Sequence, residues 1–381
     1  MAETDRESPV THSDNQSLRV CMPSIRKAGG GAAWGAGYEF QDIISEVDHV
    51  HRIDLDPGRT LGLRQKAVRR LVWRQISKRA TRLNPGFKPV SLDRDYDLFA
   101  FVCMNPWELL YLNAIQGWKE RCRKKVCFIF EVWAGVASRY RHLIQMLDDF
   151  DQVFIGFQSA VPATQEMTKA PCHFVPPASD TLRFSPYPNP PERSIDVFSL
   201  GRRLEGMHKE FLEMAERREL FYIYDTLPGK LVQPTNYREH RALFANMAKR
   251  SKFFVTYPAK VDFFQETQGL SEPGTRFYEG VATGAVMIGQ APDSNAFRRD
   301  FNWPDSVITV GDRDAFMRVM ADMKRDPGRL ESVAKRNVVE ALGRHDWMHR
   351  WKEILDVSGE PTSDKFEVRD FQLKELAKTI I

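Results

Sequence analysis

Short apolar segments alternate with amphipathic segments along this chain, and that alternation limits the folds open to it. Runs of strand length occur in the first half at residues 18–25, 50–55, 96–103, 125–133 and 152–156. Between them, the apolar spacing predicts helices at residues 38–45, 64–82, 106–123 and 140–147. Strands that alternate with helices predict a parallel sheet with both faces covered.

A proline-rich stretch divides the chain into two units of this kind. Residues 173–191 lack hydrophobic periodicity, which is typical of a linker. After it, residues 195–200 predict a strand, 207–218 a helix and 220–224 another strand. A length of 381 residues suffices for two domains, so we predict an α/β protein with two domains facing across a cleft. The predicted parts are a disordered tail at 1–17, an N-terminal domain at 18–180, a linker at 181–192, a C-terminal domain at 193–355 and a C-terminal tail at 356–381.

Residues 271–289 hold the most informative motif in the second domain. Glu272 and Glu279 flank Arg276, and a turn of small residues around Gly284 leads into an apolar run. The pattern predicts a loop, a short helix, a glycine turn and a buried strand. A helix N-terminus with an arginine suits an anionic ligand, because the backbone N–H groups and the guanidinium both attract its oxygens. An ordinary amphipathic helix with a capping acid would give a similar pattern.

This motif resembles the donor site of GT-B glycosyltransferases, which have two Rossmann-like domains, and is closest to the branch of the spore-maturation enzymes. The hinge pattern V-P-x-x-x-D…F-x-P of the same enzymes resembles residues 175–186. Seven residues usually separate the two glutamates of the family, whereas six separate them here. The resemblance implies a nucleotide-diphosphate sugar as donor, with its ribose on Glu279 and its sugar hydroxyls on Glu272. It implies that the diphosphate binds to Arg202, Arg203, Lys209 and Arg276, beside Gly284.

Two further features of the first domain are candidate site residues. The glycines that follow the first strand, among them Gly30 and Gly31, permit close approach of a ligand at the carboxyl edge of a parallel sheet. Glu131 ends a buried strand, where its carboxylate could activate an acceptor hydroxyl or serve as a paired structural acid. Both interpretations of Glu131 remain open from the sequence.

The sequence does not require a metal or another cofactor. Several Asp-x-Asp triplets occur, but they lie in turns and at helix boundaries rather than after a buried strand. The five cysteines have no metal-like spacing, and three of them lie within apolar runs, which predicts buried free thiols in a reducing compartment. Zinc-protease, serine-hydrolase and P-loop motifs are absent from the sequence.

A basic segment at residues 64–82 carries eight cationic side chains and no acid. Its cations repeat at every fourth position, which places them on one side of a helix opposite an apolar stripe. The repeat comprises Lys66, Arg70, Arg74 and Lys78. We predict that this face contacts an anionic membrane surface, although a solvated helix face would look the same. Nucleic acid is a weaker candidate partner, because no recognised nucleic-acid motif accompanies the segment.

Taken with the resemblance, these features predict a glycosyltransferase that moves a sugar to a cell-envelope glycan or a lipid-linked saccharide. We expect a cytoplasmic protein, peripheral on the inner membrane face, since neither a signal peptide nor an apolar run long enough to span a membrane is visible. Two alternatives stay open at this point. One is a non-catalytic module that binds a nucleotide sugar, and the other is a nucleotide-sugar epimerase built from two Rossmann-like domains.

Overall fold

The structure is a computed structural model that describes residues 18–28, 31–74, 78–226, 234 and 236–380. The tail predicted at residues 1–17 therefore lies outside the described residues. The strands are β1 (Val20–Ser24), β2 (Val50–Asp54), β3 (Val90–Ser91), β4 (Tyr96–Cys103), β5 (Ile115–Gln116), β6 (Cys122–Ile129), β7 (Gln152–Ile155), β8 (Cys172–Phe174), β9 (Ile195–Ser199), β10 (Tyr222–Tyr224), β11 (Ser251–Thr256), β12 (Val286–Gly289) and β13 (Ile308–Thr309). The α-helices are α1 (Gly35–Val47), α2 (Leu61–Trp73), α3 (Trp118–Arg121), α4 (Arg141–Ile144), α5 (Ala160–Gln165), α6 (Thr181–Phe184), α7 (Glu205–Glu216), α8 (Tyr237–Lys249), α9 (Phe264–Thr267), α10 (Thr275–Ala282), α11 (Asn295–Asp300), α12 (Arg313–Arg325), α13 (Pro327–Arg344), α14 (Trp347–Ser358) and α15 (Asp364–Lys378).

The first domain is built on a parallel sheet of six strands in the order β2-β1-β4-β6-β7-β8. Side chains of β4 alternate between its faces, so that Phe99 and Phe101 belong to one apolar cluster while Leu98 and Ala100 belong to the other. Both faces are covered, as expected for strands that read as nearly continuous apolar runs.

The second domain repeats this plan with a parallel sheet of five strands in the order β10-β9-β11-β12-β13. Here too each face has its own apolar cluster, one containing Phe254 and Met287 and the other Phe253 and Val286. The predicted fold class is therefore confirmed. In both sheets the loops that follow the strands lie at the carboxyl edge, where α/β proteins place their ligands.

The C-terminal segment corrects the sequence prediction, because residues 356–381 were expected to form a tail. The chain instead continues through α14 and α15, whose apolar side chains pack against the first sheet. Trp347 of α14 stacks on Phe40 of α1, with ring centroids 4.7 Å apart. Arg369 of α15 donates to Asp346 at 2.8 Å and to Asp180 at 2.7 Å. The helix is held by these buried pairs, which its mostly polar sequence does not reveal.

A helix predicted over residues 106–123 is a second correction. The structure has a 3-10 helix at Pro106–Ala114, the short strand β5 and then α3. Leu109 to Leu112 are all buried, so the segment has no polar face of the kind that an amphipathic helix needs. Gly117 has a positive φ of 80°, which ends any continuous helix at that point.

Candidate functional site

The loop after β9 forms the centre of the carboxyl edge in the second domain. Gly201 has a φ of 93°, and its backbone N–H donates to Asp225 Oδ1 at 3.1 Å. Arg203 donates to the same oxygen at 3.0 Å, and its guanidinium lies 5.4 Å from the ring centre of Tyr224. Arg202 extends toward solvent and pairs with Asp262 at 2.6 Å. Two cations predicted to bind a diphosphate are thus at the edge where a ligand would lie.

Arg276 comes to the same place from the first turn of α10. Its Nε donates to the Leu200 carbonyl oxygen at 3.0 Å, directly before Gly201. The guanidinium lies over the Phe244 ring, 4.7 Å from its centre, and pairs with Glu279 one turn further along the helix. The structure therefore brings Arg276 to the loop that carries Arg202 and Arg203, although it lies far from them in sequence.

Glu279 is fully buried between two arginines. One carboxylate oxygen accepts from Arg276 and the other from Arg241, a residue of α8 that the sequence did not single out. Burial alone would raise the pKa of Glu279, but the positive charges of Arg241 and Arg276 hold it below its ordinary value. The side chain of Glu279 is 0% exposed, so a ribose cannot contact its oxygens in this arrangement of the site.

Arg241 also connects the two domains. Its Nε and Nη2 donate to the two oxygens of Glu39 on α1, at 2.8 and 2.9 Å. Glu39 further accepts from the Asp180 backbone N–H at 2.9 Å and from Trp347 Nε1 at 3.2 Å. The result is a buried chain of charges that runs from the first domain through Arg241 and Glu279 to Arg276.

Glu272 turns toward the first domain rather than toward the loop after β9. Its Oε1 accepts from the Ser159 backbone N–H at 2.8 Å, whereas its buried Oε2 has no hydrogen-bond partner in the described part of the chain. Desolvation raises the pKa of Glu272, and the bonds from Ser159 offset only part of that rise. Its predicted contact with sugar hydroxyls remains a prediction.

Of the four other predicted donor residues, three lie within the described part of the chain. Lys209 is exposed in the early part of α7, and Gly31 is buried at the start of the 3-10 helix Ala32–Trp34 in the first domain. Gly30 lies outside the described residues. Gly284 precedes β12 at the opposite, amino edge, where a positive φ of 66° lets the turn pack against Ala334 and Val338 of α13. Its proposed donor contact is therefore wrong, and the glycine serves the turn.

A pocket of about 280 Å³ lies between the domains beside Glu131. It is lined by loops that follow β1, β4 and β6 together with the loop after β11; we call it the aromatic pocket, after Trp34, Trp107, Trp133 and Tyr140. Glu131 accepts from Trp133 Nε1 at 2.9 Å, and it pairs with Lys260 across the cleft. Lys260 also pairs with Glu266, and its φ of 51° is rare for a residue that is not glycine.

The basic face of α2 is exposed as predicted, at Lys66, Arg70 and Arg74; the side chain of Lys78 lies outside the described residues. Of the apolar stripe expected opposite it, Val68 and Val72 are buried. Leu71 and Trp73 are instead 42% and 51% exposed, because the helix packs on the domain along a narrow line. Cations and apolar side chains are consequently exposed together on α2.

Among the described residues, no helix is long and apolar enough to cross a membrane. Within the same part of the chain, no group of three or more His, Cys, Asp or Glu side chains could hold a metal ion.

Sequence reasoning missed Arg241, Glu39 and Lys260. One signal could have found Arg241, since it occupies the apolar stripe of α8 with Phe244 and Ala248. Glu39 lies in α1, where nearly all residues are buried. A carboxylate is rarely buried without a partner, so its place in this helix is a second signal. Lys260 has no such signal in the sequence.

Comparison with known proteins agrees with this architecture. Residues 202–356 match a family model described as glycosyl transferase-like. A sequence comparison with curated proteins gives no significant match. An α,α-trehalose-phosphate synthase (UDP-forming) from Burkholderia vietnamiensis superposes with a TM-score of 0.53 at 10% identity, covering 90% of this chain and 99% of that one.

Two further solved structures are similar over the same extent. An α-glucosyltransferase in complex with UDP-glucose and DNA gives a TM-score of 0.51 at 13% identity, and Anabaena HepE in complex with UDP and glucose gives 0.50 at 12%. Each comparison covers 90% of this chain and 99% of the other. With two parallel sheets facing across a cleft, the protein has the GT-B fold of these structures, and its second domain is glycosyl transferase-like over residues 202–356.

Proposed function

We propose that the protein transfers a sugar from a nucleotide-diphosphate sugar to a saccharide acceptor at the cell envelope, either a glycan or a lipid-linked sugar. Binding of the nucleotide-sugar donor is supported by one observation: Arg202, Arg203 and Arg276 converge at one edge of the second sheet. Preorganised cations at that position would stabilise the negative charge that grows on a departing diphosphate.

The reaction forms one bond and breaks another at the anomeric carbon of the donor sugar. An acceptor hydroxyl oxygen bonds to that carbon, while the bond from the carbon to the diphosphate oxygen breaks and its electron pair leaves with the nucleoside diphosphate. We assign Glu131 as the carboxylate that takes the hydroxyl proton, because it lines the pocket between the domains. Its contact with Lys260 keeps a positive charge beside that carboxylate.

In this proposal Glu279 first orients Arg276 and binds the donor ribose only later. Because both of its oxygens already accept from arginines, a ribose diol could reach it only after Arg276 has moved onto the diphosphate. Before that exchange, Glu279 orients Arg276 toward the loop after β9. Glu272, whose Oε2 has no partner among the described residues, is the carboxylate proposed to bind the donor sugar.

Calorimetric titration with UDP, GDP and ADP tests the donor site directly. UDP is the first choice, since the similar structure of Anabaena HepE is a complex with UDP and glucose and that of the α-glucosyltransferase is a complex with UDP-glucose. We expect Arg276→Ala to weaken binding at least tenfold, and the matched variant Arg318→Ala, an exposed arginine of α12, to bind like the wild type. Failure of all three nucleotides to bind, or equal affinity of the two variants, would refute the assignment.

Turnover separates transfer from the alternative functions. With a donor that binds, we expect slow release of nucleoside diphosphate in the absence of acceptor, faster release with a saccharide acceptor, and a lower kcat for Glu131→Gln at unchanged nucleotide affinity. Binding without any release of nucleoside diphosphate would indicate a non-catalytic module, and an epimerised sugar nucleotide would indicate an epimerase.

The proposed membrane contact is made by the exposed face of α2. Basic residues near an anionic surface contribute about 1 kcal/mol each, and the exposed Leu71 and Trp73 add apolar contact. Co-sedimentation with anionic liposomes should fall as salt rises, since screening shortens electrostatic reach to about 8 Å at physiological ionic strength. Replacing Lys66, Arg70 and Arg74 by glutamine should abolish it, whereas equal sedimentation of that variant would refute the contact.

A further inference from the structure

We propose that the aromatic pocket is built for an uncharged pyranose ring, and thus that the acceptor is a saccharide held by stacking. This inference rests on the proposed function and specifies its acceptor. A pyranose presents a face of C–H bonds, which packs on an aromatic ring, and a rim of hydroxyls, which bind polar groups. A volume of about 280 Å³ is near the lower end of ligand pockets, roughly 300 Å³.

The aromatic walls of the pocket are held in fixed orientations. Trp107 and Tyr140 stand perpendicular to each other, with ring centroids 6.0 Å apart and an interplanar angle of 88°. Trp34 is held by its indole N–H, which donates to the buried Glu108 at 2.7 Å. All three rings are partly exposed, so that part of their apolar surface remains available to a ligand. Rings fixed in this way lose little conformational entropy when a ligand packs on them.

Polar groups lie on one side of these rings. Glu131 and Glu266 flank Lys260, which pairs with both of them. With the Arg69 guanidinium, which also lines the pocket, the two carboxylates and the ammonium balance in charge, and together they offer acceptors and donors to hydroxyl groups. The composition therefore favours a polyol over an anion.

The pocket is distinct from the donor site by both position and charge. The cations that would bind a diphosphate follow β9 and begin α10, whereas the pocket is lined mainly by loops after β1, β4 and β6 of the first sheet. A diphosphate near Glu131 and Glu266 would meet like charges. A nucleotide and a saccharide could consequently occupy the cleft together, as a transfer between them requires.

The pocket wall continues into α2. Trp107 stacks on Trp73, with centroids 6.0 Å apart and an interplanar angle of 30°, and the Arg69 guanidinium lies 5.5 Å from the centre of the same Trp107 ring. The buried Nε of Arg69 has no hydrogen-bond partner in the described part of the chain. A saccharide presented from a surface that α2 contacts would therefore enter beside Trp107.

Saturation-transfer NMR with simple glycosides tests the pocket without relying on turnover. The probes are methyl β-D-glucoside, methyl α-D-mannoside, methyl N-acetyl-β-D-glucosaminide and maltose, each added to the full chain with saturating UDP. We expect at least one probe to receive saturation at its ring C–H protons. Its affinity should fall at least tenfold in Trp107→Ala and in Tyr140→Ala, and be unchanged in Phe371→Ala, an exposed aromatic on α15.

Each outcome decides the inference separately from the donor site. If UDP binds but no glycoside receives saturation, or if Trp107→Ala and Tyr140→Ala behave like Phe371→Ala, the saccharide pocket is refuted while the donor assignment stands. If UDP displaces the glycoside competitively, the two sites coincide and the pocket proposal is wrong. If glycosides bind as expected and UDP fails to bind, the donor assignment fails and the pocket is supported. Circular dichroism and equal UDP affinity show that the variants are folded.

Discussion

Replacement of Arg241 by methionine is the perturbation that most directly tests the charge network between the domains. The change removes the three hydrogen bonds that Arg241 makes to Glu39 and Glu279. Methionine keeps a similar volume in the apolar stripe of α8, so the loss is mainly electrostatic. Glu279 would keep Arg276, and Glu39 would keep a contact of 3.3 Å with Arg183.

Removing one partner of a buried ion pair costs about 3–5 kcal/mol, because the remaining charge stays buried without compensation. Both carboxylates retain one arginine each, which places the expected loss at the lower end of that range. We therefore expect Arg241→Met to lower the free energy of unfolding by about 3 kcal/mol at pH 7.

The loss in free energy of unfolding should be larger at neutral pH than at acidic pH. Burial works against the ionised form of Glu279, but Arg241 and Arg276 hold its pKa below the ordinary value. A depressed pKa contributes stability that is present above the unfolded value, about 4.3, and is lost as the pH falls through the folded value. Removal of Arg241 reduces that depression. The difference in the free energy of unfolding between wild type and variant should thus be largest near neutral pH and become smaller below about pH 4.

Equilibrium unfolding in urea at several pH values measures both effects. The matched control is Arg238→Met on the same helix, whose side chain is 66% exposed and pairs with Asp42. Exposed pairs contribute about 0–1 kcal/mol, so the control should stay near the wild type. If Arg241→Met lost no more stability than Arg238→Met, or the same amount at pH 7 and pH 4, the reasoning would be refuted.

Three other expectations follow from the geometry of single residues. Because burial raises the pKa of Glu272, its ionisation should lower stability as the pH rises above about 4.3, and Glu272→Gln should remove that slope in a pH series of urea unfolding. Gly289→Ala should cost more than Gly201→Ala in the same assay, since a Cβ at Gly289 would collide with the Thr256 carbonyl oxygen, whereas one at Gly201 would lie 3.6 Å from a flexible arginine. Thiol labelling of the native protein should modify at most Cys172, the one partly exposed cysteine of the five, and all five in denaturant; fast native labelling of more than one would contradict the structure.

Much of the fold could be predicted because strands buried on both faces carry a strong local signal. The eight-residue run of β4 is apolar enough to be bounded correctly at both ends. The 3-10 helix Pro106–Ala114 could not be predicted, because its residues are buried by tertiary contacts on every side and carry no helical period. The helix α15 could not be predicted either, since a buried pair between Arg369 and Asp346 looks like ordinary surface charge in the sequence.

The candidate site was predictable only where its residues are close together in sequence. Arg276 and Glu279 were identified from one motif, and the structure pairs them directly. The glycine of the same motif was misinterpreted, because a turn and a ligand loop need the same freedom of φ. Gly284 meets that need at the amino edge of its strand, which a linear pattern cannot distinguish from the carboxyl edge.

The residues missed by the sequence are those that join the two domains, and together they suggest how donor and acceptor sites are connected. Glu39 of the first domain holds Arg241, which holds Glu279, which in turn holds Arg276 at the loop after β9. A second ion pair across the cleft joins Glu131 of the first domain to Lys260 of the second. An anion that drew Arg276 away would leave Glu279 with Arg241 as its remaining cation among the described contacts. That loss should strengthen the pair between Glu279 and Arg241, and we therefore expect the relative position of the two domains to depend on whether an anion is bound at the loop after β9.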